Sequence, residues 1–167
     1  MSDATANYPL GQKITAGFAE NQLGQETWFA DRNYDGDLKT DYSSREVHCV
    51  LVELEAGASA VAPGSFVKWT APGTKVNIAG LGDHACGQVD PYLNANVTEG
   101  ERFWVITDGP GLVTASAAIS AGAPIKTAAS GKVVTNDYAN STGVGYLIAA
   151  ASADGDKRRA LLDCRNI

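Results

Sequence analysis

From Val47 to the end, the chain alternates short apolar runs with turn residues. "VHCVLVELEAG" is apolar, β-branched and stopped by glycine. It is followed by "SFVKWT", "TKVNIAG", "ACGQVD", "RFWVITDG", "GLVTASA", "APIKTA", "GKVVTND", "GVGYLIAAAS" and "RRALLDC". Each is bounded by Gly, Pro, Asn or Asp, a spacing that predicts hairpin-linked strands rather than βαβ units. The expected fold is all-β, a small barrel or sandwich, with Val50, Val52, Val67, Val89, Val105, Ile125, Val133, Leu147 and Leu161 inside. Asp108–Leu112, "DGPGL", reads as a turn. Residues 1–45 are polar and weakly periodic but carry scattered aromatics. They read as an extended N-terminal arm (1–45) before a β domain (46–167). Within the arm, "KITAGFAENQL" has spacing for one short helix with Ile14, Phe18 and Leu23 on a face.

The β region matches itself. "PGSFVKWTAPGTKV" from Pro63 aligns with "AGAPIKTAASGKVV" from Ala121, and the same offset carries Gly87 onto Gly145. Further on, "EGERFWV" from Glu99 resembles "DGDKRRALL" from Asp154. Four elements in the same order predict a duplicated β unit. Its glycines recur because hairpin turns need the positive φ that glycine adopts at little cost.

The second unit carries a family resemblance. Gly122, Pro124, Gly131, Lys132, Gly145, Asp154, Gly155 and Asp156 stand in "AISAGAPIKTAASGKVV" and "GVGYLIAAASADGDKRRALLD". This order of turns resembles the small-barrel capsid decoration (cement) proteins of tailed bacteriophages. The resemblance covers about residues 47–167. It implies a structural virion protein that folds in the host cytoplasm and binds the exterior of an assembled head. Its partners would then be the major capsid protein and other copies of itself, a homotrimer first and a dimer second.

Charge supports that direction. Thirteen Lys and Arg stand against nineteen Asp and Glu, a net charge of −6, which repels nucleic acid and anionic lipid. Lys157-Arg158-Arg159 reads as one solvated strand end. The start, "MSDATANYPL", lacks the basic and apolar regions of a secretion signal, and no apolar run is long enough to span a bilayer as a helix. Neither nucleic acid nor membrane is expected as a partner. The three cysteines are odd in number and widely spaced, as for reduced thiols.

No catalytic constellation emerges, so the chain is read as non-enzymatic and without a cofactor. His48-Cys49 and His84-x-Cys86 supply zinc-type ligands, but strand neighbours face opposite ways. His48 and His84 are therefore expected as half-exposed imidazoles, and Cys49 as a core residue beside Leu51. Glu53/Glu55 and Glu99/Glu101 read as a solvated strand face and a turn rather than a glycosidase pair. The alternative to a virion protein is a carbohydrate- or surface-binding module with Trp28, Trp69 and Trp104 as its platform. The arm aromatics Tyr8, Phe18, Trp28 and Phe29 are the candidate anchors for capsid or partner, since interfaces favour such side chains.

"DRNYDGD" at 31–37 opens like a calcium loop, with Asp31, Asn33, Asp35 and Asp37 as oxygen donors and Gly36 at the bend. The twelfth loop position, where a bidentate Glu belongs, is Tyr42, and Lys39 brings a positive charge to the ninth. A polar turn closed by Asx side chains accounts for the stretch. Millimolar calcium or a chelator is therefore expected to leave the melting temperature unchanged. A site filled at one hundred times its dissociation constant would add about 2.7 kcal/mol, and a shift of several degrees would establish one.

Overall fold

The computed structural model describes residues 10–14, 23–30, 46–137 and 142–165. These hold ten strands and no α-helix: β1 Glu26–Ala30, β2 Glu46–Leu54, β3 Phe66–Ala71, β4 Lys75–Ile78, β5 Gly87–Val89, β6 Arg102–Thr114, β7 Pro124–Thr127, β8 Val133–Thr135, β9 Gly143–Leu147 and β10 Lys157–Asp163. The pairings close two small barrels. In the first, β2 pairs with β4, β4 with β3, β3 with β5, β5 with β6, and β6 back with β2. In the second, β8 pairs with β7, β7 with β9, β9 with β10 and β10 with β6. A single parallel bridge, Ala115 to Val133, completes that circuit.

The two barrels are the two copies of the repeat. The strand order β4-β3-β5-β6 recurs as β8-β7-β9-β10, and the loops recur bond for bond. Gly64 N–H donates to Val89 C=O at 3.0 Å, and Gly122 N–H to Leu147 C=O at 2.7 Å. Val61 bridges Val97 as Ile119 bridges Ala151. Gly100 N–H donates to Leu54 C=O, and Gly155 N–H to Ala115 C=O, both at 2.9 Å. A side chain at Gly87 would collide with the Ile106 carbonyl, and one at Gly145 with the Leu161 carbonyl. Close strand contact, as well as turn conformation, therefore maintains that repeated glycine.

β6 belongs to both barrels. Its first half, Arg102–Asp108, pairs with β2, and its second half, Asp108–Thr114, pairs with β10. The "DGPGL" stretch expected to turn instead runs straight through this strand. Gly109 sits there at φ +103°, and a Cβ on it would lie 2.7 Å from the Glu46 carbonyl. Gly109 thus bends the strand where its partner changes from β2 to β10, without reversing it. Pro110 lies opposite Leu161 on β10, where a strand neighbour already supplies the local geometry.

Barrel 1 encloses Val50, Val52, Leu54, Val61, Val67, Val76, Val89, Phe103 and Val105. A second cluster joins the inside of barrel 2 to the outer face of barrel 1. It includes Ile125, Val133, Leu147, Ala160 and Leu162 from barrel 2, and Cys49, Leu51, Phe66, Trp104 and Ile106 from barrel 1. At about 1.5–3 kcal/mol for each large apolar side chain buried, these clusters dominate the stabilisation. The register of β10 corrects one core assignment. Ala160 and Leu162 point inward, and Leu161 lies half-buried on the outer face.

The described parts of the N-terminal stretch pack on barrel 1. β1 pairs antiparallel with β2, from Glu26 opposite Val50 to Ala30 opposite Glu46. Leu10 and Ile14 are buried in the second cluster. Ile14, expected on a helix face, forms an antiparallel bridge with Arg102.

One buried polar side chain joins the barrels. Gln88 on β5 is fully buried, and its Nε2 donates to the carbonyls of Gly64 at 2.9 Å and Leu112 at 2.6 Å. Its Oε1 accepts the Leu112 N–H at 3.2 Å. The amide thus acts as a strand partner for β6 just beyond the bend. Gln88→Leu would strand two carbonyls and one N–H away from water. It is expected to cost on the order of 3 kcal/mol, since each orphaned buried group costs about 1–3. Urea denaturation should read this as a lower midpoint, and an unchanged midpoint would show the clamp to be dispensable.

Candidate interaction surface

β1 divides its two neighbouring aromatics between opposite faces. Phe29 turns inward and meets Trp104 edge-on, with ring centroids 5.1 Å apart. Trp28 turns outward and is 51% exposed. Its ring meets His48 at 4.8 Å in a T-shaped contact, and the Arg165 guanidinium lies 5.8 Å from its centroid. Of the four candidate anchors, Trp28 is thus presented to solvent and Phe29 covers the core. Tyr8 and Phe18 lie outside the described residues, as do Asp31, Asn33, Asp35 and Asp37. Trp104 is fully buried and Trp69 half-buried, so the three tryptophans do not form one exposed platform.

His48 is buried rather than half-exposed, at 4%, whereas His84 is exposed. β2 and β6 carry a register shift between His48 and Cys49, and β1 lies over His48 from the other side. Thr107 Oγ1 donates to the His48 carbonyl at 3.2 Å and lies in hydrogen-bond contact with Nδ1 at 2.6 Å. Nε2 faces the Glu26 carboxylate at 3.1 Å. His48 thereby links β1, β2 and β6. An open cleft of about 350 Å³ lies here, lined by Glu26, His48, Trp69, Cys86, Cys164 and Arg165 among others.

The cysteines are poor nucleophiles. All three are buried and free. Burial, with the nearby charge of Asp90, pushes the Cys49 thiol well up. Burial pushes Cys86 up to about 12. Burial first, then Cys86, Asp163 and Asp108, pushes Cys164 well above the usual thiol range. A neutral thiol neither attacks nor binds metal readily. Among the described residues, no three His, Cys, Asp or Glu side chains converge as a metal site.

The acidic-Gly-acidic turns hold structure. Glu99 accepts the Gly57 N–H at 2.6 Å. Glu101 accepts the Thr98 N–H and pairs with Lys13, both at 2.7 Å. Asp156 takes the N–H and hydroxyl of Ser152, both at 2.7 Å. Glu53 is held by Arg102 at 3.2 Å and Lys75 at 3.4 Å. The basic run also diverges. Arg158 donates to the Ala150 carbonyl at 2.7 Å, while the largely buried Arg159 reaches the Tyr92 hydroxyl at 3.0 Å.

No protein-family model matches the sequence, and no curated protein matches it either. A solved structure does share the fold. The N base of head fiber gp8.5 in bacteriophage phi29 is similar with a TM-score of 0.53 at 16% sequence identity. The similarity covers 70% of this chain and 93% of that one. At that identity it is a likeness of fold.

Sequence reasoning missed two features of this surface. The link from His48 to Glu26 requires β1 to lie beside β2, and the weak periodicity of residues 1–45 did not mark Glu26–Ala30 as a strand. The Asp90 carboxylate is fully buried and accepts the N–H groups of Gly11 and of Tyr92. In the sequence it stands only as the residue that ends the run "ACGQVD".

The paired carboxylates set an acid limit. Asp83 is held below its ordinary range by the Lys68 hydrogen bond and the Gly80 N–H. Asp156 is lowered by the Ser152 hydroxyl and N–H. Burial pushes Glu101 up, but the bonds from Lys13 and Thr98 outweigh it and lower the group. Depressed carboxylates stabilise the fold above their unfolded values and lose that contribution as pH falls through the folded ones. The melting temperature is therefore expected to hold near neutrality and drop below about pH 4. Glu101→Gln should remove under about 1 kcal/mol at pH 7 and flatten the acid fall. An identical pH profile in that variant would show that the Lys13 pair contributes nothing.

Proposed function

We propose that this chain is a structural protein of a bacteriophage virion, a capsid decoration or cement protein that docks on the exterior of the head. The observation that carries the reading is the shared fold with a phage head-fiber base, extending over 93% of that chain. The turn order of the second unit points independently to the same class of protein, and the acidic balance suits a protein that does not engage nucleic acid. The major capsid protein is the partner. Binding would bury surface across neighbouring capsomers, so that separating them also breaks the new contacts. Several copies held together, a homotrimer first and a dimer second, multiply the effect through high local concentration. The protein folds in the host cytoplasm before docking, and it acts by binding rather than catalysis.

Trp28 is the anchor in this reading, as an exposed aromatic on an edge strand backed by His48. Cosedimentation with heads assembled without this protein tests it. Saturable binding is expected, and Trp28→Ala should weaken it roughly tenfold or more, in the manner of an interface hot spot. Trp28 is half outside the fold, so its removal should leave the melting temperature nearly unchanged. No saturable binding of the wild type would overturn the decoration reading, and unaltered binding of the variant would move the anchor elsewhere.

A further inference from the structure

Two of the three buried cysteines are neighbours. Asp108 of β6 pairs with His48 of β2 on one edge and with Asp163 of β10 on the other. Closer to the start of β6 that second edge belongs to β5, with Gln88 opposite Ile106. Both β5 and β10 run antiparallel to β6, so β10 ends where β5 begins. Cys164 follows β10 directly, and its N–H donates to the Thr107 carbonyl at 2.8 Å. Cys86 directly precedes β5. The two line one cleft beside His48 and Thr107, whereas Cys49 lies on β2, across β6 from both. The thiols also sense each other. After burial, Cys86 raises the Cys164 thiol more than the adjoining Asp163 carboxylate does.

Each thiol rests on a carbonyl, Cys86 Sγ on Val67 at 3.3 Å and Cys164 Sγ on Val144 at 3.7 Å. Such S–H bonds are weak, and rotation about χ1 exchanges them for a bond between the sulfurs. Burial acts oppositely on reactant and product. It opposes the thiolate that must attack, which makes closure slow near neutrality. The disulfide that results is neutral and suits the same apolar surroundings.

We propose that Cys86 and Cys164 form a disulfide under oxidising conditions, a redox staple between β5 of barrel 1 and the end of β10. A low-molecular-weight disulfide is the oxidant. One protein thiolate attacks its S–S bond, forming a mixed disulfide and releasing one small thiol. The second protein thiolate attacks the protein sulfur of that mixed disulfide and releases the other. Two protein thiols are oxidised, the oxidant is reduced to two small thiols, and the protons pass to them. The closed loop, 86–164, contains all of barrel 2. A long loop is where a cross-link most restricts the unfolded chain. Cytoplasm keeps such a pair reduced, and extracellular surroundings favour its closure. The inference does not depend on capsid binding.

Incubating the reduced full chain with millimolar hydroxyethyl disulfide, between about pH 7 and 9, tests it. The intact mass should fall by two hydrogens, and a peptide map without reductant should join Cys86 to Cys164 and leave Cys49 free. Closure should quicken close to tenfold per pH unit, as the thiolate fraction does below a pKa of about 12. The melting temperature should rise by several degrees and return on reduction with dithiothreitol. Cys86→Ser and Cys164→Ser should each abolish the mass change and the rise, and Cys49→Ser should keep both. Where a serine variant folds poorly, the peptide map of the wild type decides. Three free thiols after prolonged incubation of the folded chain, small-thiol adducts that never close, a bridge that includes Cys49, or a bridge that leaves the melting temperature unchanged would overturn the proposal.

Discussion

The fold depends on one strand serving two barrels. β6 is the last strand of the first barrel and the first of the second, so neither can be cut out without taking a wall from the other. This accounts for its composition. Phe103 and Val105 fill barrel 1 while Trp104 and Ile106 face the second cluster, and the half-strand is apolar on both faces. Past the bend at Gly109 the strand needs a new backbone partner. Gln88 supplies one with a side-chain amide, which explains why a polar residue tolerates full burial in an otherwise apolar row.

The polar and titratable groups are engaged mainly in holding this arrangement. Glu101, Asp156 and Asp90 bind backbone N–H groups of turns, and Glu53 sits between two cations. His48 ties β1 to β6 through Thr107 and Glu26. The cysteines are shielded by burial, which opposes thiolate formation. These assignments give each of those side chains a structural role. They also explain why side chains that resemble catalytic or metal-binding pairs in the sequence lie on different faces or in different turns.

The duplication is faithful in hydrogen bonding and unequal in surroundings. Barrel 1 acquires β1, Leu10 and Ile14 on its outside and barrel 2 against one row, so it is enclosed. Barrel 2 receives less cover and closes through a single parallel bridge.

The sequence by itself determined most of the strands after Val47, the repeat and most of the core. Those rest on local physics: alternation places Val50 and Val52 on one side of β2, and turn glycines recur wherever the backbone needs them. It also located Cys49 in the core and the acidic-Gly-acidic motifs at turns. Only the tertiary structure decided which strands are shared, and that changed the meaning of several residues. "DGPGL" has the composition of a turn, yet its neighbours β2 and β10 hold it extended. Leu161 and Leu162 are indistinguishable by type, and pairing with β6 chooses which one points inward. Trp28 and Phe29 part because β1 lies on β2, a contact between segments distant in sequence. Burial of His48 and exposure of Tyr146 follow from what packs beside them, and packing between distant segments leaves no local periodicity to read.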